Sequence, residues 1–561
     1  MVIAAVLPLL PTLRAQFVYD DTTIIRDNML LRGWGAIGRV WTQPYWPSDG
    51  VDALGLYRPL QLALLSVVWN LSGGSARWMH VYGLLLAGAT ALAVWWMLRR
   101  GATASASLVG ALWFAMQPLH VEAVASVANT SELVVVLCTV GLVFVLGLEP
   151  PTSTTRDWQR AAAIGLLAAA ALLAKESGLL ALPLAAITVW GWRPSGAVDV
   201  RTFFTRNTRA WMASAVCIAA AILARLAVLG APVSHGSIAA QGLSAMSSGE
   251  RMAAMLSVWP RIAGMLVWPT GLSPYYGPTI FPANRAVFAT IGIALVLAFG
   301  AFAVRAARHG NSRLIVAAAW MGLSYFPASN LLTPTGQILS DRALFGMTVG
   351  AAFGIAWAID RATPAFRKIA IVLFTIVAVR GAVVGVSYAR AWTSHRALWT
   401  RLAEVAPREH LSAKLLGMDA RARGDTSVAL EMLGRAFATV PQDRQVRFEY
   451  GQLLYSTGKY AAAATTLAPL LHDSDARSEP GFMSLYLDAV GRGGGPQAVV
   501  TAATPLLHSE TGAVAALFLG IADEQLGKPI AADSAYSAGL RRNPRDTVLL
   551  GRQRLLRPAQ H

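Results

Sequence analysis

Along residues 1–388, apolar runs of about 14–22 residues alternate with short polar breaks, a pattern that no soluble core of this size needs. From residue 389 onward such runs stop and a polar, shorter-period pattern takes over. The chain therefore reads as all-α, with a polytopic membrane domain at 1–388, a linker at 389–409 and a helical-repeat domain at 410–561. Arginines in alternate breaks orient the runs: Arg99 and Arg100; Arg156 and Arg160; Arg193, Arg201, Arg206 and Arg209; Arg305, Arg308 and Arg313; and Arg361, Arg367 and Lys368. With all of these on the cytoplasmic side, the spans fall near 1–13, 78–98, 104–118, 131–148, 161–174, 177–192, 211–229, 288–304, 314–328, 343–359 and 369–387. That is about eleven crossings, with the amino end inside and the repeats outside. Residues 59–72 and 251–271 would reverse this order as full crossings, so they are expected to lie in or dip into the outer leaflet. The first run has only thirteen residues before Arg14, short of the roughly 20 that a crossing takes; a signal peptide, though without a basic n-region, and a start further upstream are the two readings left open.

The carboxy-terminal pattern repeats with a period near 34 residues. Leu416, Gly417, Ala429, Ala436 and Pro441 form one unit, and Gly451, Gly458, Tyr460 and Ala463 follow in register. Leu519, Gly520, Gly527, Ala532, Tyr536 and Pro544 form another, while 478–512 is degenerate and interrupted by Gly493, Gly494 and Gly495. Small residues that let paired helices approach, with proline ending the second helix, are the marks of a tetratricopeptide solenoid. Stacked pairs leave a concave groove, whose usual occupant is an extended polypeptide.

The net charge of +17 invites a nucleic-acid partner, but 27 basic and 14 acidic residues lie in 1–388, so the excess marks topology. No nucleic acid is expected. Cys138 and Cys217 both sit inside apolar runs, which argues against disulfides or a thiolate metal site. Of the fourteen acidic residues in the membrane half, ten fall on the external side: Asp20, Asp21, Asp27, Asp49, Asp52, Glu122, Glu132, Glu176, Glu250 and Asp341. Ionisable groups beside a bilayer are costly, so their gathering on one face suggests chemistry.

Five places stand out. Asp20 and Asp21 follow Phe17 and Tyr19 just beyond the first apolar run, where a carboxylate can act as general base toward a hydroxyl; the plain alternative is a pair of capping aspartates. His120 and Glu122 lie in Pro118-Leu119-His120-Val121-Glu122, two apart, as phosphate or metal ligands or as ordinary loop residues. Lys175 and Glu176 interrupt two apolar runs, either as a turn that keeps a hairpin tip out of lipid or as a phosphate-pairing lysine steered by its neighbour. Asp341 and Arg342 offer a guanidinium able to grip phosphate through two parallel hydrogen bonds, and Arg58, in Tyr57-Arg58-Pro59, is a third cation near the same leaflet. No cofactor is called for, and a divalent metal is left open.

In this order, Phe17-x-x-Asp20-Asp21, Tyr57-Arg58-Pro59-Leu60, Pro118-x-His120-x-Glu122-Ala123-Val124, Lys175-Glu176 and Asp341-Arg342 resemble the transmembrane and tetratricopeptide-repeat protein O-mannosyltransferases. These belong to the polytopic GT-C glycosyltransferases, and the resemblance runs over essentially the whole chain. It implies inverting transfer of a mannose-like sugar from a polyprenyl-phosphate donor to a hydroxyl acceptor, a serine or threonine of a protein, on the non-cytoplasmic face. Asp20 would be the base, with Asp21 supporting it or exchanging with it. Lys175, Arg342, His120 and Arg58 would face the lipid phosphate, with Glu122, Glu176 and Asp341 in support. The repeat groove would present the acceptor polypeptide, and the inner membrane of a bacterium is the expected setting. The chain carries Asp341-Arg342 where the family usually has Glu-Arg, and Asn129-Thr130-Ser131-Glu132 where an arginine is usual. Two rival readings remain: a membrane-anchored scaffold without catalysis, and a GT-C enzyme that modifies a lipid or glycan.

Overall fold

A computed structural model describes residues 1–46, 55–192, 200–230, 242–243 and 246–556. Among these residues every regular element is helical. The chain divides into two compact units, Met1–Ala406 and Pro407–His561. The stretch 389–409, read above as a linker, instead carries the end of the helix Pro364–Ala391 and the helix His395–Val405. Leu398, Trp399 and Leu402 on the latter helix are buried, an amphipathic stripe that ties it into a core.

In the first unit, a helix lies at each of the eleven expected crossings. Among the described residues, six helices are long and apolar enough to cross a bilayer: Ala76–Gly101, Val127–Gly147, Thr208–Leu229, Arg285–Arg308, Asp341–Arg361 and Pro364–Ala391. A seventh crossing is possible where Ala104–Ala115 meets Pro118–Ala125 at a 46° bend. The others fall short for physical reasons. Val2–Arg14 and Glu176–Gly191 are short apolar helices, Ser312–Tyr325 has only 14 residues, and Thr154–Ala174 begins with a polar first turn and a half.

The helix ends sort into two sets. At one end, Asp157 pairs with Arg209 (2.7 Å) at the starts of Thr154–Ala174 and Thr208–Leu229. At the same end, Asp360 takes the Thr103 N–H (3.2 Å) and faces Arg313 (3.5 Å), joining the starts of two helices to the end of Phe345–Arg361. The opposite ends of these helices carry the breaks that hold the candidate residues. Pro59 and Pro118 each begin a helical segment, where a missing N–H costs nothing. Lys175 stands between Ala174 and the turn Glu176–Leu180, and a Cβ on Gly178 would overlap the Ala171 carbonyl, so only glycine permits this tight reversal. Residues 17–46 fold over the helix Pro59–Ser72, burying Phe17, Ile24, Ile25, Leu31, Val40 and Tyr45 against Leu62, Leu65, Met79 and Val127.

The second unit is a stack of helical pairs: His410–Ala422 with Thr426–Thr439, Arg444–Ser456 with Tyr460–Leu467, and Gly512–Gln525 with Pro529–Arg542. A Cβ at Gly417, Gly451 or Gly520 would overlap Leu433, Leu467 or Tyr536 respectively, each sixteen positions on. Close approach of the two helices thus explains the repeated glycine. The degenerate stretch also contributes, because Pro480–Ala503 turns at Gly495 (φ 77°) into two helical arms.

Candidate functional site

The charged residues singled out from the sequence come from five separate breaks and meet in the first unit. Arg342 is the hub. Its Nη1 donates to Glu122 Oε1 at 2.7 Å and lies 3.7 Å from Asp20 Oδ2, while its backbone N–H donates to Glu122 Oε2 at 3.0 Å. Glu122 is thus held by both backbone and side chain of one residue, and it is buried, whereas Asp20 and Arg342 remain about 15% open. The side chain of Asn129 approaches the same Asp20 oxygen at 3.5 Å.

Lys175 pairs with Glu132. Arg58 donates from Nε (2.9 Å) and Nη2 (2.6 Å) to Glu176 Oε2, and Arg225 reaches the other oxygen of Glu176 at 3.5 Å. Lys175 is close enough to Arg58, Arg342 and Glu122 for their charges to act on one another, as Arg342 is to Glu132. Four cations and four carboxylates therefore form one electrostatic neighbourhood. Arg342 retains further N–H donors beyond those it commits here, so it can still bind an added oxyanion.

The two adjacent aspartates are not equivalent. Asp21 is fully buried; Oδ1 accepts the Ala128 N–H (2.8 Å) and the Ser126 hydroxyl (3.1 Å), and Oδ2 accepts the Val127 N–H (2.9 Å). Burial pushes its carboxyl up to about 7, against the pull of these donors. It ties the first loop to the break 126–128, with Tyr45 closing the same turn by donating to the Ala128 carbonyl at 2.8 Å. Tyr19, at φ 55°, occupies the left-handed region that side chains other than glycine rarely enter. Its ring lies edge-on to Trp399 (5.6 Å) and Trp392 (6.4 Å), both buried. That kink sets Asp20 and Asp21 in different surroundings.

His120 is engaged elsewhere in helix packing, in contrast to the phosphate-facing role expected of it. Its Nε2 meets Thr348 Oγ1 at 2.9 Å, and its ring packs 4.6 Å from Phe114 and 4.3 Å from Phe345. Asp341 likewise points away from solvent, accepting the Tyr276 hydroxyl at 2.6 Å. Asp49, Asp52 and Arg193 lie outside the described residues. Among the described residues, no group of three His, Cys, Asp or Glu is placed to hold a metal ion.

Sequence reasoning passed over Glu132, Arg225, Asn129 and Tyr276 as site residues. Arg225 had a usable signal, since an arginine inside an apolar run is expensive unless it reaches a partner. Glu132 opens the helix Ser131–Gly147, where an acidic first turn is also what the helix dipole favours, so its sequence signal is ambiguous.

Comparison with known proteins bears on the chain as a whole. A tetratricopeptide repeat family model matches residues 420–479. The chain is 33% identical over 198 residues to the protein O-mannosyl-transferase Tmtc2 of Drosophila melanogaster, covering 34% of this chain and 21% of that one. With the protein O-mannosyl-transferase F38B6.6 of Caenorhabditis elegans it shares 20% identity over 418 residues, covering 72% and 57% respectively. With mouse protein O-mannosyl-transferase TMTC3 it shares 23% over 361 residues, covering 60% and 39%. The aligned parts thus span from a fifth to somewhat over half of these relatives' own length. The chain thus joins a unit with several helices long and apolar enough to cross a membrane to a tetratricopeptide solenoid, and over part of its length it is similar to proteins named as protein O-mannosyl-transferases.

Proposed function

We propose that the protein is an inverting membrane glycosyltransferase. It moves a mannose-like sugar from a polyprenyl-phosphate donor to a serine or threonine hydroxyl of a protein, on the non-cytoplasmic face of a bacterial inner membrane. The observation that carries this reading is the meeting of Asp20 and Arg342 at 3.7 Å, both partly open, beside Lys175 and Arg58, which are comparably open and lie in the same charged neighbourhood. A base that must meet substrate cannot be sealed away, and neither can a cation that must meet a phosphate.

In the proposed step Asp20 takes the proton of the acceptor hydroxyl as its oxygen attacks the anomeric carbon. The bond from that carbon to the phosphate oxygen breaks, and the polyprenyl phosphate leaves with the electron pair. Arg342 neutralises the charge gathering on the departing phosphate, with Lys175 and Arg58 supplying further positive potential. Glu122 holds Arg342 in place, Glu176 does the same for Arg58, and Asp21 braces the loop that carries Asp20. The acceptor polypeptide is taken up by the groove of the repeats.

The test is transfer by purified protein of radiolabelled mannose from polyprenyl-phosphate mannose to a serine- and threonine-containing peptide. Transfer by the wild type and its loss in Asp20→Asn support the reading. A wild type that transfers nothing to peptide, lipid or glycan leaves the scaffold reading in its place, and transfer to lipid or glycan alone replaces the protein acceptor.

A further inference from the structure

The segment between the helices Ser248–Val267 and Arg285–Arg308 has no catalytic role in the reading above, yet it is held unusually firmly. Arg380 packs 3.9 Å from the Trp268 ring and donates to the Pro269 carbonyl at 3.1 Å. Arg261 donates to the Gly271 carbonyl at 3.0 Å and sits 5.4 Å from the ring of Tyr276. Tyr276 is itself buried; its phenolic oxygen accepts the Ser273 N–H at 3.1 Å, and its proton goes to Asp341 Oδ1 at 2.6 Å.

Asp341 is the residue before Arg342 and is wholly buried. Burying a carboxyl group is costly; its Oδ1 accepts the Tyr276 hydroxyl while its buried Oδ2 makes no hydrogen bond, so the Tyr276 contact fixes the group through a single oxygen. The next peptide unit carries the N–H that Glu122 accepts, and the same residue's guanidinium faces Asp20. A displacement of Asp341 would therefore move both attachments of Arg342 together. Small misplacements of a charge-stabilising group are expensive in rate, because its value lies in being fixed before the reaction.

Resting on the proposed transfer activity, we infer that Tyr276 is a positioning residue that locks Asp341 and through it the guanidinium of Arg342. Tyr276 touches neither substrate in this account. Its hydroxyl joins the loop 268–281 to the site, so that the loop's seating and the aim of Arg342 are one event.

The experiment compares wild type, Tyr276→Phe, Asp341→Asn and the double variant. It measures kcat and donor KM with polyprenyl-phosphate mannose and a serine- and threonine-containing peptide, per mole of folded protein judged by size exclusion. Tyr276→Phe keeps the ring and removes one hydroxyl. Its kcat should fall at least tenfold with donor KM changed less than threefold, and the double variant should be no worse than the poorer single one. A merely structural hydroxyl would lower folded yield and leave kcat per folded molecule at the wild-type value; that result, or effects that multiply in the double variant, overturns the lock. A wild type without any transfer overturns the functional reading and the lock with it, whereas an active wild type matched by Tyr276→Phe overturns the lock alone.

Discussion

The two ends of the helical domain use the same residue types for different purposes. At one end Asp157 meets Arg209 and Asp360 meets Arg313, with those arginines 43% and 49% exposed. At the other, Arg342 is 14% exposed and is shared between Asp20 and a Glu122 that is 1% exposed. Pairs of the first kind fasten helix ends; their carboxylates are only 9% and 10% exposed, but the arginines lie open to water and salt, so the loss of one arginine costs little. Charges of the second kind have given up much of their hydration, which makes each interaction stronger and each lost partner more damaging. Charge enriched at a membrane edge is thus not informative alone; what distinguishes a candidate site is charge that is withdrawn from water and still reachable.

The sharpest test of this contrast is Asp20→Asn, which keeps the shape and removes the base. Turnover should fall by about 10³-fold, with the protein still eluting as folded wild type does; a variant with near-normal turnover would place the base elsewhere. Next comes Arg342→Ala, expected to cost about 10²-fold in kcat/KM for the donor. An unchanged donor dependence would remove it from the phosphate. Asp21→Ala should act on stability instead. It strands the N–H groups of Val127 and Ala128 and the hydroxyl of Ser126 in a buried turn, costing about 3 kcal/mol, read as a lower unfolding temperature in detergent. If Asp21→Ala unfolds like the wild type but is inactive, the two aspartates have been assigned in reverse. At the far end, Arg313→Ala should change stability by about 0.5 kcal/mol and leave transfer within twofold. A large loss there would erase the distinction between the ends.

How much of this was legible beforehand follows from what each residue needed. Asp20, Glu122, Lys175 and Arg342 announced themselves because few charges border the apolar runs, and each lies at a break that the hydropathy pattern marks. The crossings were legible as helices for the same reason, although several are too short or too polar at one end to qualify alone. The division of labour between Asp20 and Asp21 was not legible, since it depends on the turn 126–128 more than a hundred positions away. Tyr276 was hidden likewise, being one tyrosine in a proline-rich loop whose partner lies 65 residues on. His120 misled because an imidazole beside a carboxylate looks like a ligand pair, whereas local helix geometry turns it toward Phe114 and Phe345. The helix His395–Val405 went unread because its buried stripe is short and follows a long apolar helix directly.

Tyr19 carries a consequence of its own. A tyrosine in the left-handed basin sacrifices roughly 1–2 kcal/mol of torsional comfort, and the indoles of Trp392 and Trp399 hold it there. What that sacrifice secures is broken symmetry: twin side chains, one peptide apart, are sent into a sealed turn and an open crevice. Evolution could therefore retune the crevice without loosening the turn, by altering the indoles rather than either acid.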